Sequence, residues 1–132
     1  MPNFSEKSLN KLKTCHEDIQ EVLKEAVKHF DFTILEGHRG AAEQDRLYSI
    51  GKSKLKFPKS RHNQLPSMAV DIAPYPIDWE DRERFTYLAG HIMGIGQKMG
   101  ILLRWGGDWG RTTDLKHNHF DDLPHFELIK EN

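Results

Sequence analysis

A single acidic residue inside an apolar segment places the strongest constraint on how this chain can fold. Residues 68–73, with the sequence Met-Ala-Val-Asp-Ile-Ala, alternate like a β-strand, and Asp71 lies between Val70 and Ile72. An ionised carboxylate in apolar surroundings is costly unless it is paired or coordinates a cation. We therefore expect side chains from distant parts of the sequence to meet at Asp71.

Length and cysteine content limit the architecture around this strand. The chain has 132 residues, a size typical of one domain, and it contains no internal repeat, low-complexity tract or linker. We expect residues 1–132 to form one compact domain. Cys15 is the only cysteine, which excludes an intramolecular disulfide and a cysteine-built zinc site.

Hydrophobic periodicity predicts helices and strands in a mixed order. Helices are expected over residues 5–29, 41–50 and 78–99, and strands over residues 32–36, 68–73, 101–105 and 124–129. Ser5 and Asp78 are the expected N-caps, and Gly51 and Gly100 are expected to end two of the helices. Because the strands are too few for regular βαβ units, the pattern predicts an α+β fold.

Charge and hydropathy exclude several classes of partner. The formal net charge of −1 argues against a general nucleic-acid binder. The first residues lack a basic segment followed by an apolar stretch, so no signal peptide is expected. No apolar run is long enough to span a bilayer, so stable membrane insertion is not expected.

Positive charge is nevertheless concentrated in one segment. Five cations occur there with no acid among them, namely Lys52, Lys54, Lys56, Lys59 and Arg61. Such a cluster is usually a solvated loop. The alternative is a basic rim beside a functional site, which favours an anionic polymer.

Two of the eight histidines have a context that matches Asp71. His62 closes the long polar loop that precedes the Asp71 strand, and His125 begins the last expected strand. Imidazole and carboxylate are good zinc ligands, and three protein ligands leave a fourth position for water. Residue types alone leave other combinations open. The remaining histidines are expected to be ordinary helix or solvated loop residues (His16, His29, His38, His91, His117 and His119).

Short motifs around these residues occur in the order found in a known family. Three motifs resemble the LAS-type zinc peptidases (VanY-like), and they are Ser60-x-His62, Ala69-x-Asp71 and Asp122-x-x-His125-Phe-Glu. That family contains D-Ala-D-Ala carboxypeptidases and dipeptidases, as well as the L-alanyl-D-glutamate endopeptidases of bacteriophage endolysins. The upstream segment Ile34-x-Glu36-Gly-x-Arg39 looks like the block that precedes these motifs, and Trp105-Gly-Gly-Asp-Trp109 looks like the endolysin branch.

The resemblance implies a fold and a metal site. The implied fold is of the Hedgehog/DD-peptidase type, with a small antiparallel sheet flanked by helices. The implied cofactor is one Zn²⁺ per chain, bound by His62, Asp71 and His125. The segment between His62 and Asp71 is longer than is usual in that family and lacks a glycine. Because extra loop residues close at small entropic cost, we expect ligation to survive.

The resemblance also implies roles for three polar residues. Asp122 is the implied catalytic base, which takes a proton from water and passes it to the leaving amine. Asp121 is the alternative, but it is out of register with the motif. Arg39 is implied to hold a substrate carboxylate through two parallel hydrogen bonds, and Ser60 to add a hydroxyl donor.

Three further residues are candidates for supporting the site or the core. Glu127 follows His125 by two positions, which puts both side chains on one face of a strand, so it is a candidate for orienting that ligand. Trp109, which lies between Asp108 and Gly110 in a glycine-rich segment, is the better candidate for lining a groove. Trp105 is at least as consistent with core packing.

The function implied by the resemblance is that of an endolysin. Such an enzyme hydrolyses the L-Ala–D-Glu bond of bacterial peptidoglycan with zinc, as a monomer without a separate cell-wall-binding domain. It is made in the host cytoplasm and reaches periplasmic peptidoglycan after holin-type release. The alternatives are a D-Ala-D-Ala carboxypeptidase or dipeptidase of the same fold, and a zinc module without peptidase turnover.

Overall fold

The structure is a computed structural model that describes residues 2–129, and within them it contains four helices and four strands. The helices are α1 (Glu6–Leu12), α2 (Glu17–Ala26), α3 (Ala41–Ser49) and α4 (Arg82–Met99). The strands are β1 (Phe32–Glu36), β2 (Ala69–Pro74), β3 (Leu103–Gly106) and β4 (Asp122–Leu128). Short 3₁₀ turns cover Arg61–Asn63 and Leu115–His117. The predicted α+β class is confirmed.

The four strands form one sheet in which every neighbouring pair is antiparallel. Their order is β1-β2-β4-β3, so β2 and β4 are the central strands. The register pairs Glu36 with Asp71 and Asp71 with His125. One row across three strands therefore carries three polar side chains, and Asp71 stands in its middle.

Strand alternation separates this polar row from the hydrophobic core. Val70, Ile72 and Phe126 are 1–2% exposed and belong to the core cluster, whereas their neighbours Asp71 and His125 point to the opposite face. Helices α2 and α4 pack against each other, and α4 also contacts β2, β3 and β4. The helices thus cover the apolar face of the sheet and leave the other face for the polar side chains.

The prediction of a single helix over residues 5–29 is wrong, because two helices, α1 and α2, occupy that stretch. The chain breaks between α1 and α2 to pair with a distant segment at Ser67. The amide of Ser67 donates to the carbonyl of Thr14 at 2.8 Å, and the amide of His16 donates to the carbonyl of Ser67 at 2.9 Å. Helical periodicity continues across the break because both helices pack on one core. Ser5 is confirmed as the N-cap of α1.

Strand β1 has its predicted bounds, and the boundaries of the other elements differ from the predictions by a few residues. Helix α4 begins at Arg82 instead of residue 78, because the side chain of Asp81 caps it by accepting from the amide of Arg84. Asp78 instead closes the preceding turn by accepting from the amide of Glu80 at 3.0 Å. Strand β4 begins at Asp122, two residues before its predicted start, and β3 is displaced toward Gly106. None of the described helices is long and apolar enough to cross a membrane.

Candidate metal centre

His62, Asp71 and His125 converge on one point. Their potential ligand atoms all lie within 4.8 Å of one another. His62 Nε2 lies 3.3 Å and His125 Nδ1 lies 3.2 Å from the same oxygen, Asp71 Oδ1. The 3₁₀ turn supplies His62, β2 supplies Asp71 and β4 supplies His125. The three side chains singled out from the sequence are therefore neighbours in space.

The outer hydrogen bonds of both imidazoles fix which nitrogen faces Asp71. His62 Nδ1 lies 2.8 Å from the carbonyl oxygen of Gly37, which can only accept, so Nδ1 carries the proton and donates. His125 Nε2 lies 2.9 Å from a Glu127 carboxylate oxygen and donates to it. In the neutral rings, the lone pairs of His62 Nε2 and His125 Nδ1 are thereby turned toward the carboxylate.

Three electron-rich atoms that face one another need a cation or protons between them. His62 Nε2 is buried and has no hydrogen-bond partner in the described structure. Burial opposes the charge on Asp71, but the adjacent imidazoles of His125 and His62 outweigh it and hold the pKa of Asp71 far below its usual range. Burial also opposes a charge on His125, yet bonds to Asp71 and Glu127 raise its pKa to about 9. The donor set thus fits a divalent cation.

The turn that presents His62 is built by its own sequence. Ser60 is 7% exposed, and its hydroxyl oxygen accepts from the amide of His62 at 3.2 Å. The amide of Ser60 in turn donates to the side-chain oxygen of Asn63 at 3.0 Å, which completes a capping box. Between His62 and Asp71 the loop reaches the surface, where Leu65 is 73% exposed.

Gly37 is a positioning residue that the sequence analysis missed. A Cβ atom there would lie 2.6 Å from the carbonyl oxygen of Lys11, so only glycine fits against α1. This close approach places the Gly37 carbonyl where it accepts from His62 Nδ1. A glycine between an expected strand and Arg39 is the signal that could have indicated it.

Glu127 orients His125, as its spacing on the strand predicted. Glu127 is 7% exposed and lies between His125 and two arginines. Arg61 Nε lies 2.9 Å from one carboxylate oxygen, and Arg104 Nη1 lies 3.4 Å from the same oxygen. Burial raises the pKa of Glu127, but the bond from His125 and the nearby charges lower it below its ordinary value. Glu127 is therefore a fixed anion behind the imidazole.

Arg39 lies next to the centre, but neighbouring side chains already hold it. Its Nη2 is 2.7 Å from Glu36 and 3.9 Å from the second oxygen of Asp71, and its Nη1 donates to Gln44 at 2.9 Å. The side chain is one-tenth exposed. Its guanidinium therefore adds a fixed positive charge at the edge of the carboxylate row.

Gln44, which belongs to the upstream segment that resembles the family, is the second residue whose role the sequence analysis did not predict. It is 0% exposed although α3 is otherwise solvent-facing, and all the hydrogen-bonding groups of its amide are used. Its oxygen accepts from Arg39 at 2.9 Å and from Asn63 at 3.2 Å. Its nitrogen donates to Ser53 at 2.9 Å and to the Leu55 carbonyl at 2.6 Å. One amide therefore joins the arginine, the His62 turn and the basic segment.

Asp122 and Asp121 have opposite surroundings. Burial and the negative charge of Asp71 raise the pKa of Asp122 above its ordinary value. Gly106 faces Asp122 across the sheet, and any side chain at Gly106 would collide with the Asp122 backbone. Asp121 instead binds Asn118 and Arg82 at the surface, which lowers its pKa. Only Asp122 combines proximity to the centre with a raised pKa.

Trp105 and Trp109 occupy different environments, one in the core and one beside the site, as the sequence suggested. Trp105 is 5% exposed, stacks on Phe126 and belongs to the core. Trp109 is half-buried, and its ring centre lies 5.3 Å from that of His125. His117 pairs with Asp114 at an exposed position. Trp109 thus forms part of the wall of the site.

Comparison with known proteins agrees with this geometry. A family model described as phage L-alanyl-D-glutamate peptidase matches residues 2–129. The chain belongs to this family. It is 35% identical to the L-alanyl-D-glutamate peptidase of Escherichia phage T5, over 96% of this chain and 97% of that protein.

Two bacterial proteins are also similar to this chain. The peptidoglycan L-alanyl-D-glutamate endopeptidase CwlK of Bacillus subtilis (strain 168) is 29% identical over 79% of this chain and 64% of that protein. The crystal structure of the Serratia marcescens L-Ala D-Glu endopeptidase ChiX has a TM-score of 0.77 at 26% identity, and covers 97% of this chain and 91% of that chain. The expected LAS-type relationship is confirmed.

The buried amide of Gln44 yields a prediction for stability. Gln44→Leu removes the acceptor of Arg39 Nη1 and takes one partner each from the Asn63 amide and the Leu55 carbonyl, and each buried group left unsatisfied costs about 1–3 kcal/mol. We expect the free energy of unfolding in urea to fall by about 2–4 kcal/mol. Gln97→Leu, an exposed change on α4, is the matched control. An equal effect of both substitutions would contradict the role of Gln44.

Proposed function

We propose that this chain is a zinc endopeptidase that hydrolyses the L-Ala–D-Glu bond of peptidoglycan stem peptides. The observation that carries the proposal is the convergence of His62, Asp71 and His125, with both imidazoles turned toward the carboxylate. Membership of the phage L-alanyl-D-glutamate peptidase family supports the choice of bond.

The metal in this proposal is Zn²⁺, one per chain. His62 Nε2, Asp71 and His125 Nδ1 would hold it, and two imidazoles with one carboxylate are a common catalytic zinc set that leaves a position open. Zinc supplies Lewis acidity, which makes water more acidic and polarises a carbonyl group. The unpartnered Nε2 atom of His62 supports the presence of a cation.

Asp122 is the proposed base. Burial and the charge of Asp71 raise its pKa, which makes it a stronger proton acceptor than an ordinary aspartate, as a base that passes a proton on to the leaving amine needs to be. It stands at the start of β4, three residues before His125. Gly106 keeps the backbone of β3 close to it and thus fixes its position.

Arg39 and Ser60 are the proposed substrate anchors. D-Glutamate in a stem peptide is linked onward through its γ-carboxyl, so its α-carboxylate remains free beside the cleaved amide. Glu36 and Gln44 use two of the five N–H groups of Arg39, which leaves others for that carboxylate. The Ser60 hydroxyl oxygen accepts from the His62 amide, so its own hydrogen remains free to donate.

We also propose how the protein works as a whole. The match over residues 2–129 supports one catalytic domain across these residues, and we propose that it acts as a monomer. The relative from Escherichia phage T5 supports a role in phage lysis, with release from the host cytoplasm to periplasmic peptidoglycan through a holin. The net charge of −1 supports the absence of a nucleic-acid partner.

The cleaved bond can be read from the product. Digestion of purified muropeptides should create a new amino terminus on D-glutamate, because the proposed anchors select the carboxylate beside the L-Ala–D-Glu amide. Mass spectrometry after amino-terminal labelling identifies that residue. Release of D-alanine alone would instead establish a D,D-carboxypeptidase.

The base can be tested with two adjacent isosteric substitutions. Asp122→Asn should lower kcat by about 10²–10⁴-fold, because a neutral amide cannot take the proton. Asp121→Asn is the matched control and should retain activity within a few-fold, since Asp121 is committed to Arg82 and Asn118. Initial rates on soluble muropeptides report both. A larger loss from Asp121→Asn would reverse the assignment.

The metal can be tested without relying on activity. Glu127→Ala removes the acceptor that orients His125 and should weaken Zn²⁺ affinity about 10–100-fold, measured by competition with a chromogenic chelator. Glu127→Gln keeps an acceptor oxygen and should lose less. Glu25→Ala on the exposed face of α2 is the control.

Removing and restoring the metal in the wild-type protein tests whether hydrolysis depends on it. A chelator should abolish hydrolysis, and stoichiometric Zn²⁺ should restore it. Full activity in metal-free protein would overturn the zinc proposal.

A further inference from the structure

The basic segment between α3 and the 3₁₀ turn has charge that nothing nearby neutralises. No acidic residue occurs between Arg46 and Arg61. The four lysines between them, Lys52, Lys54, Lys56 and Lys59, are exposed, and within residues 2–129 none of them takes part in an ion pair. These four residues are called the basic rim below.

The backbone that carries the basic rim is held in a fixed shape. Gln44 donates to the Leu55 carbonyl at 2.6 Å and to Ser53 at 2.9 Å from its buried position. The amide of Phe57 donates to the side chain of Asp45 at 3.2 Å. An ordered backbone lowers the entropy cost of bringing several cations to one ligand. The segment therefore differs from a freely moving charged loop.

Contacts between side chains lead from the basic rim to the candidate metal centre. The ammonium group of Lys54 lies 4.5 Å from the ring centre of Phe120, in a cation–π contact. The carbonyl of Phe120 accepts from the indole nitrogen of Trp109 at 2.6 Å, and the Trp109 ring lies 5.3 Å from that of His125. The rim thus borders the site on the side where β4 begins with Asp122.

We propose that the basic rim binds carboxylates of peptidoglycan stem peptides that flank the cleaved bond. The inference rests on the proposed function, and it adds a preference for stems whose carboxylates are free. Stem peptides are polyanionic in the wall, since D-glutamate and terminal D-alanine each present a carboxylate. A cluster of cations beside the site attracts such a polymer, and its attraction weakens with salt.

An anionic membrane is the other surface that lysines with exposed apolar neighbours can bind. Ile50, Leu55 and Phe57 are 42–53% exposed near the rim. The contacts through Phe120 and Trp109 to the metal centre favour the substrate, because a membrane seated there would cover the entrance to the site.

Binding to purified sacculi tests the proposal separately from catalysis. Two variants each carry four Lys→Gln substitutions, so that both lose the same amount of charge. The rim variant is changed at residues 52, 54, 56 and 59. The control variant is changed at the exposed Lys7, Lys13, Lys24 and Lys98. Co-sedimentation is measured in a chelator, so that the wall stays intact. The salt concentration is varied, and a second batch of sacculi has its carboxylates converted to amides. Vesicles of anionic phospholipid are measured in parallel.

The proposal predicts a specific pattern. The rim variant should bind intact sacculi roughly tenfold more weakly than wild type at low salt, because exposed ion pairs are individually weak but add up. The control should bind within about twofold of wild type. Amidated sacculi should bind wild type at least as weakly as intact sacculi bind the rim variant, because amidation also removes the carboxylate proposed for Arg39. On soluble muropeptides the rim variant should show a raised KM with kcat unchanged.

Three results would overturn the proposal. If both variants bound sacculi equally weakly, the position of the rim lysines would not matter for binding. Unchanged binding to amidated sacculi would mean that carboxylates are not the ligand. Loss of vesicle binding with intact sacculus binding retained would assign the rim to a membrane. Failure of wild-type protein to hydrolyse muropeptides would instead refute the proposed function, whatever the binding data show.

Discussion

The charge on Asp71 is the constraint on which the arrangement of this protein depends. The carboxylate lies in a central strand, 3.2–3.3 Å from two imidazole nitrogens and 3.9 Å from a guanidinium. An ionised group at such a position is tolerated only with partners, and removing one partner from a buried charge is strongly destabilising. Those partners come from the 3₁₀ turn, from β4 and from the β1–α3 connection. Satisfying one charge therefore ties together segments that are far apart in sequence.

The partners of Asp71 are themselves held by a second set of contacts. Gly37 and Glu127 fix the two imidazoles, and Gln44 fixes Arg39 together with the turn that carries His62. Each of these residues works through a backbone carbonyl, a buried carboxylate or a buried amide, all of which have little freedom to move. The geometry at the centre is thus a property of the supporting residues as much as of the ligands.

The strands could be predicted because they have local signals, whereas the set of three ligands followed from the resemblance of the ordered motifs around them. The bounds of β1 were correct, and the polar residue inside the apolar β2 pattern indicated a special site. The break between α1 and α2 had no such signal, since it exists to pair with Ser67, more than fifty positions away. Gln44 was missed for the same reason. A glutamine on a helix looks exposed until the four groups that it joins are brought together by the fold.

The three converging side chains differ in how firmly the backbone holds them. Asp71 and His125 are paired with each other on interior strands, whose backbone hydrogen bonds open only with the sheet as a whole. His62 stands on a 3₁₀ turn of three residues. Local opening of the backbone therefore costs less free energy at His62 than at Asp71 or His125. Amide hydrogen exchange would be slow at Asp71 and His125 and faster at His62. A ligand held by the centre is therefore expected to exchange on the side of the His62 turn.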